Sequence, residues 1–128
     1  AHKIMAKDGL SGLLYRRLVG ATLNSGRGLQ QAILTEEAFQ VYLFLSVLLV
    51  PLAFFIATDY VQLILMFVAI FLVLITELLN TAVEAVVDRV GLERHELSGR
   101  AKDMGSAAVS LSILLFFVVW GTIVAVNF

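Results

Sequence analysis

The stretch Glu77-Leu-Leu-Asn-Thr-Ala-Val-Glu-Ala-Val-Val-Asp88 carries the densest chemistry in this chain. It follows a long uncharged run and sets three carboxylates and an amide among apolar residues. On a helix turning about 100° per residue, Glu77, Glu84 and Asp88 fall within roughly 40° of one another, with Asn80 to one side. An acidic stripe at the end of a membrane helix needs a partner, which could be a metal ion, a cationic side chain or a proton. Carboxylate oxygens suit Mg²⁺, a hard ion that takes few protein ligands and leaves its other positions to phosphate and water.

Composition removes several alternatives. The chain has 128 residues, of which 60% are hydrophobic and 15% charged. Soluble domains average about 45–50% apolar residues, and one of this size could not hide so much apolar surface. The reading is therefore an integral membrane protein. There is no cysteine, so disulfide and thiolate chemistry are excluded. The two histidines form no His-x-x-x-His pattern, so zinc is not indicated. The chain has no Gly-x-x-x-x-Gly-Lys-Ser/Thr loop, so a nucleotide would be handled without a known soluble nucleotide fold. The net charge is −1, and no nucleic-acid partner is expected. The polar start of the chain lacks the short apolar core of a cleavable leader, so none is expected.

The elements that must position the acidic stripe follow from the charge pattern. Residues 10–35 read as an amphipathic helix, either lying in the membrane interface or packed as a surface helix on the other helices, with a break expected near Ser25-Gly26. An uncharged run over 38–58 is long enough for a first span, with Pro51 inside it. Asp59 and Tyr60 make a short turn. A second span is expected over 61–87, a polar connecting loop over 88–103, and a third span over 105–126. Trp120 would sit near the far end of that third span as an interfacial anchor. Together these make one membrane domain over 1–128. All nine Lys and Arg residues precede the first span or lie between the second and third. The positive-inside rule then puts the N-terminus and the 88–103 segment in the cytoplasm and the C-terminus outside. Three spans shield a carboxylate poorly, so an oligomer is expected. The small residues Gly105, Ser106, Ala107, Ala108, Ser110 and Ser112 would let helices approach closely.

This topology gathers several groups at the cytoplasmic boundary. Glu36 ends the surface helix there, Glu77 and Glu84 end the second span, and Lys102 and Asp103 begin the third. Glu77 is the deepest and could act as a general base. Lys102, near a helix N-terminal end, could hold a phosphate. Simpler readings compete. Charges at helix ends such as Glu36, Glu37, Glu93 and Glu96 are commonly solvated caps. Asp88 could close the helix end by pairing with loop residues. Asn80 could bridge helices rather than do chemistry. Position alone leaves two classes open: an enzyme acting on lipid head groups, and a small transporter using Glu77 as a proton or cation site.

The sequence Glu77-Leu-Leu-Asn-Thr-Ala-Val-Glu-Ala-Val-Val-Asp-Arg89, followed by His95-Glu-Leu-Ser-Gly-Arg-Ala-Lys-Asp-Met-Gly-Ser-Ala-Ala108, resembles the integral-membrane prokaryotic diacylglycerol kinase family. The resemblance covers roughly residues 16–127 and is densest over 77–108. It implies an all-α homotrimer with a surface helix, three transmembrane helices per chain, and active sites shared between subunits. It implies transfer of the γ-phosphate of MgATP to the hydroxyl of diacylglycerol at the inner membrane of a bacterium. Glu77 would be the general base on the lipid hydroxyl, and Glu36 and Glu84 the metal carboxylates. Asn80 and Lys102 would position phosphates, with Asp103 nearby. Arg17, Ser25, Glu96, Ser98 and Gly99 resemble the nucleotide-side residues, and Ser106 lies in the small-residue stretch beside the reacting hydroxyl. A related branch phosphorylates undecaprenol, but the run from Ser98 to Gly105 is more similar to the diacylglycerol branch. The chain departs from the family pattern at Asn24, where an aromatic is common, at Thr35, where Asn commonly precedes the metal Glu, and at Tyr42, often acidic.

Overall fold

A computed structural model describes the backbone of residues 2–128 and the side chains of residues 9–128. Among them all regular structure is helical, and the chain divides into two compact units, 1–36 and 37–128.

The first unit is helix α1, His2–Thr35. It kinks at Gly9, whose φ of 68° is a conformation open to a residue without a Cβ. The break expected at Ser25-Gly26 does not occur, and the helix runs straight through it. Local bonds support that continuity: the Arg27 guanidinium donates to Asn24 Oδ1, and Thr22 Oγ1 donates to the Leu18 carbonyl at 2.7 Å. A helical glycine costs about 1 kcal/mol relative to alanine, which weakens a helix without forcing it to end. Leu10, Leu14 and Leu18, at helical spacing, are exposed along α1.

The second unit holds α2 (Glu37–Ile56), α3 (Tyr60–Val90) and α4 (Glu96–Asn127). Each is long and apolar enough to cross a membrane. Only 17 to 22% of the residues in each span are buried, so most of the apolar surface faces outward. Pro51 is accommodated within α2. Asp59 caps α3, its Oδ1 accepting from the Gln62 amide at 2.9 Å. The main apolar cluster gathers Ala53, Ile56, Met66, Ala69, Ile70, Trp120 and Ile123 toward this α2–α3 turn. Asn127 closes the same end, donating to the Ile56 carbonyl and to Gln62 Oε1, both at 2.8 Å.

Two expectations change here. The polar segment 88–103 is not a loop, because α3 continues to Val90 and α4 begins at Glu96, leaving only 91–95 outside helix. His95 caps the new helix, its Nδ1 accepting from the Leu97 amide at 3.1 Å, and Glu96 pairs with Arg100 one turn on at 2.5 Å. The charges that resemble a loop in sequence are thus helix caps and pairs. Trp120 is not an interfacial anchor. It is buried, stacks on Phe116 with ring centroids 5.0 Å apart, and donates its indole N–H to the Met66 carbonyl at 3.2 Å.

At 1.5 Å per residue α3 and α4 are each about 46–48 Å long, well beyond a hydrocarbon core of about 30 Å. Counted from Tyr60, Glu77 stands about 26 Å along α3, near the far boundary of the core. The last turns of α3 and the first turns of α4 lie beyond it.

Candidate active site

Glu77 is buried, with 7% of its surface exposed, although it is a carboxylate on a membrane helix. Thr81, one turn on, reaches its Oε1 with a hydroxyl at 3.5 Å. Glu84 lies two turns further along the same stripe and is exposed. The seven residues between them amount to about 10 Å of axial rise. One carboxylate is therefore withdrawn from water while the other is open to it.

Asn80 lies between them in sequence and points at α4. Its Nδ2 donates to Glu84 Oε1 at 3.3 Å. Its Oδ1 is buried without a hydrogen-bond partner and faces Gly105. A Cβ at position 105 would collide with that oxygen and stand 3.4 Å from Asn80 Cγ. Close approach of the two helices thus depends on glycine here. Asn80 and Gly105 line a groove of about 380 Å³ with Thr76, Val83, Ala101 and Met104. Below Asn80, Thr76 Oγ1 meets Ser112 Oγ across the helices at 2.9 Å. Gly105 and Ser112 belong to the small-residue stretch noted in the sequence, but their pairing with Asn80 and Thr76 carried no sequence signal.

Lys102 Nζ pairs with Asp88 Oδ1 at 2.8 Å, joining the outer part of α3 to the start of α4. Asp88 therefore pairs with a helical lysine rather than with a loop residue. Both side chains are about half exposed, so the lysine remains within reach of water. Asp103 and Ser106 are exposed on α4, and Glu96 and Gly99 are exposed in its first turns, with Ser98 half-buried. Arg17 and Ser25 are exposed on α1, and Glu36 is half-buried at the non-helical position after Thr35, all in the first unit. Among the described residues, no three of His, Cys, Asp and Glu gather as a preformed metal cluster. That donor set still fits Mg²⁺, which takes one or two carboxylates and completes its shell with phosphate and water.

A separate apolar cavity of about 140 Å³ lies deeper among the three spans, lined by Tyr42, Ser46, Ile70, Val73, Phe116 and Phe117 among others. It contains no carboxylate. Tyr42, one of the departures from the family pattern, faces this cavity.

The family profile described as "Prokaryotic diacylglycerol kinase" matches residues 23–124. Curated relatives named diacylglycerol kinase align over most of both chains. The one from Haemophilus influenzae is 49% identical over 106 residues, which is 83% of this chain and 90% of the relative. The one from Pseudomonas aeruginosa is 45% identical over 108 residues, covering 84% and 88%. The one from Escherichia coli K12 is 43% identical over 106 residues, covering 83% and 87%. The match spans the acidic stripe of α3, the cap of α4 and the small-residue face between them, and the chain belongs to the prokaryotic diacylglycerol kinase family.

Proposed function

We propose that this protein is a diacylglycerol kinase, transferring the γ-phosphate of ATP to the free hydroxyl of diacylglycerol to give phosphatidic acid. The observation that carries this reading is the buried Glu77 two turns from the exposed Glu84 on one helix. A lipid hydroxyl arrives from the membrane and ATP from water, so the site must join a dry end to a wet one.

Glu77 takes the hydroxyl proton as the lipid oxygen bonds to the γ-phosphorus. The bond from that phosphorus to the bridging oxygen of ADP breaks, and ADP leaves with the electron pair. Thr81, donating to Glu77, holds the carboxylate in place. Asn80 bonds Glu84 and keeps it oriented. Glu84, with Glu36, is assigned to Mg²⁺, which when bound neutralises phosphate charge. Lys102 exchanges Asp88 for a phosphate oxygen, with Asp103 beside it. Glu96, Ser98 and Gly99, at the start of α4, and Arg17 and Ser25, on α1, are assigned to the nucleotide. Ser106 is assigned to the lipid side. Because phosphoryl transfer needs little covalent help, these residues act chiefly by positioning and charge neutralisation.

The outward apolar surface of the spans supports assembly with further copies, and the family resemblance makes that assembly a homotrimer with shared sites. The distribution of basic residues supports a bacterial inner-membrane orientation with the N-terminus and the α3–α4 connection in the cytoplasm and the C-terminus outside. The test is purified protein in micelles with labelled ATP and Mg²⁺, given diacylglycerol or undecaprenol. Label in diacylglycerol is expected. Label only in undecaprenol assigns the other lipid, and label in neither returns the chain to a transport role.

A further inference from the structure

Thr76 immediately precedes Glu77, and its hydroxyl is placed between two acceptors, Ser112 Oγ at 2.9 Å and the Val73 carbonyl at 3.1 Å. Ser112 is buried, and its hydroxyl lies 2.7 Å from the Val109 carbonyl. Each hydroxyl has one hydrogen and a carbonyl of its own helix within reach, so either of the two can donate across the contact between helices. This bond joins α3 to α4 away from the main apolar cluster and directly below the acidic stripe.

The Asn80–Gly105 contact and the Asp88–Lys102 pair also join α3 to α4, but the Thr76–Ser112 bond is the one made by the residue next to Glu77. We propose that the Thr76–Ser112 hydrogen bond is a positioning device that sets the rotation of α3 and thereby aims the Glu77 carboxylate at the lipid hydroxyl. The inference rests on the kinase reading above. A side-chain tip about 6 Å from the helix axis moves by about 1 Å when the helix turns by about 10°. A misplacement of about 1 Å at a reacting group costs on the order of 10²-fold in rate. Losing the bond therefore affects turnover through a residue that touches neither substrate.

The experiment uses the full chain in micelles with diacylglycerol and MgATP, measuring kcat, both KM values and thermal unfolding. Thr76→Val and Ser112→Ala are each expected to lower kcat about tenfold or more, with both KM values within about twofold of the wild type. The double variant is expected to lose no more than the worse single one, because both changes remove one bond. Thr76→Ser and Ser112→Thr keep the hydroxyls and are expected to restore turnover, a pattern that mere loss of stability would not produce. A folded single variant with kcat within about twofold of wild type overturns the inference, as do losses that multiply in the double variant. If Thr76→Val fails to accumulate, Ser112→Ala, which removes a single oxygen, decides alone. Wild type and Glu77→Gln are run alongside. A wild type that phosphorylates no lipid overturns the kinase reading, and an active Glu77→Gln overturns the base; either removes this inference as well. An active wild type and inactive Glu77→Gln beside unimpaired Thr76→Val and Ser112→Ala overturn this inference alone.

Discussion

Asn80 Oδ1 faces Gly105 across the α3–α4 contact so closely that no Cβ fits between them. The same amide donates through Nδ2 to Glu84. A glycine on one helix thereby governs the orientation of an acid on the other. Gly105→Ala must push the amide aside, because the atom in the way is the far end of a side chain rather than backbone. Overpacking of this kind costs about 1–3 kcal/mol. We expect kcat/KM for MgATP to fall about tenfold, while the unfolding temperature falls by about 4–11 °C. Unchanged kinetics would show that the Asn80–Glu84 contact does not matter to turnover.

Glu84→Gln keeps the side chain's size and the capacity to accept from Asn80, but removes the charge. If Glu84 holds Mg²⁺ with the nucleotide, the variant should need about tenfold more Mg²⁺ or MgATP to reach half its maximal rate. Titration of activity against Mg²⁺ at fixed ATP checks this. A titration curve overlying that of the wild type would count against a ligand role.

The Asp88–Lys102 pair separates a structural role from a functional one. Both side chains are about half exposed, so solvent screening leaves the pair little weight in stability. Asp88→Asn is therefore expected to leave the unfolding temperature nearly unchanged and to free Lys102. If Lys102 holds a phosphate, Lys102→Met removes that contact as well and should raise the KM for ATP about tenfold or more. Equal effects of the two changes would mean that the ion pair is all Lys102 does.

Trp120 is the only tryptophan, so its fluorescence reports a single site. Burial against Phe116 and Met66 predicts blue-shifted emission that a water-soluble quencher barely reaches. Trp120→Ala should destabilise the fold by about 3–5 kcal/mol. Ready quenching by an aqueous agent would return Trp120 to the membrane interface.

Much of this molecule is legible in its sequence, and the gaps have identifiable physical causes. The three spans show as uncharged runs because nothing else explains so long an absence of charge. Glu77 stands out because a carboxylate at that depth is costly. The segment 88–103 misled because residues that cap and pair on helices, such as His95, Glu96 and Arg100, are also those that populate loops. Five glycines in or near α1 offered several places for a kink, and only Gly9 takes a positive φ. The Thr76–Ser112 and Asn80–Gly105 contacts were hidden for a different reason. They depend on which faces of two helices meet, and no local pattern within either helix specifies that.

The central claim is that Glu77 removes the proton from the lipid hydroxyl. The most direct measurement is the turnover number of Glu77→Gln in diacylglycerol micelles with saturating MgATP, made on protein whose oligomeric state and unfolding temperature match the wild type. Glutamine keeps the shape and can still accept from Thr81, but it has no charge and cannot take a proton. Turnover is expected to fall by about 10²–10⁴-fold with MgATP still bound. Turnover close to that of the wild type would contradict it.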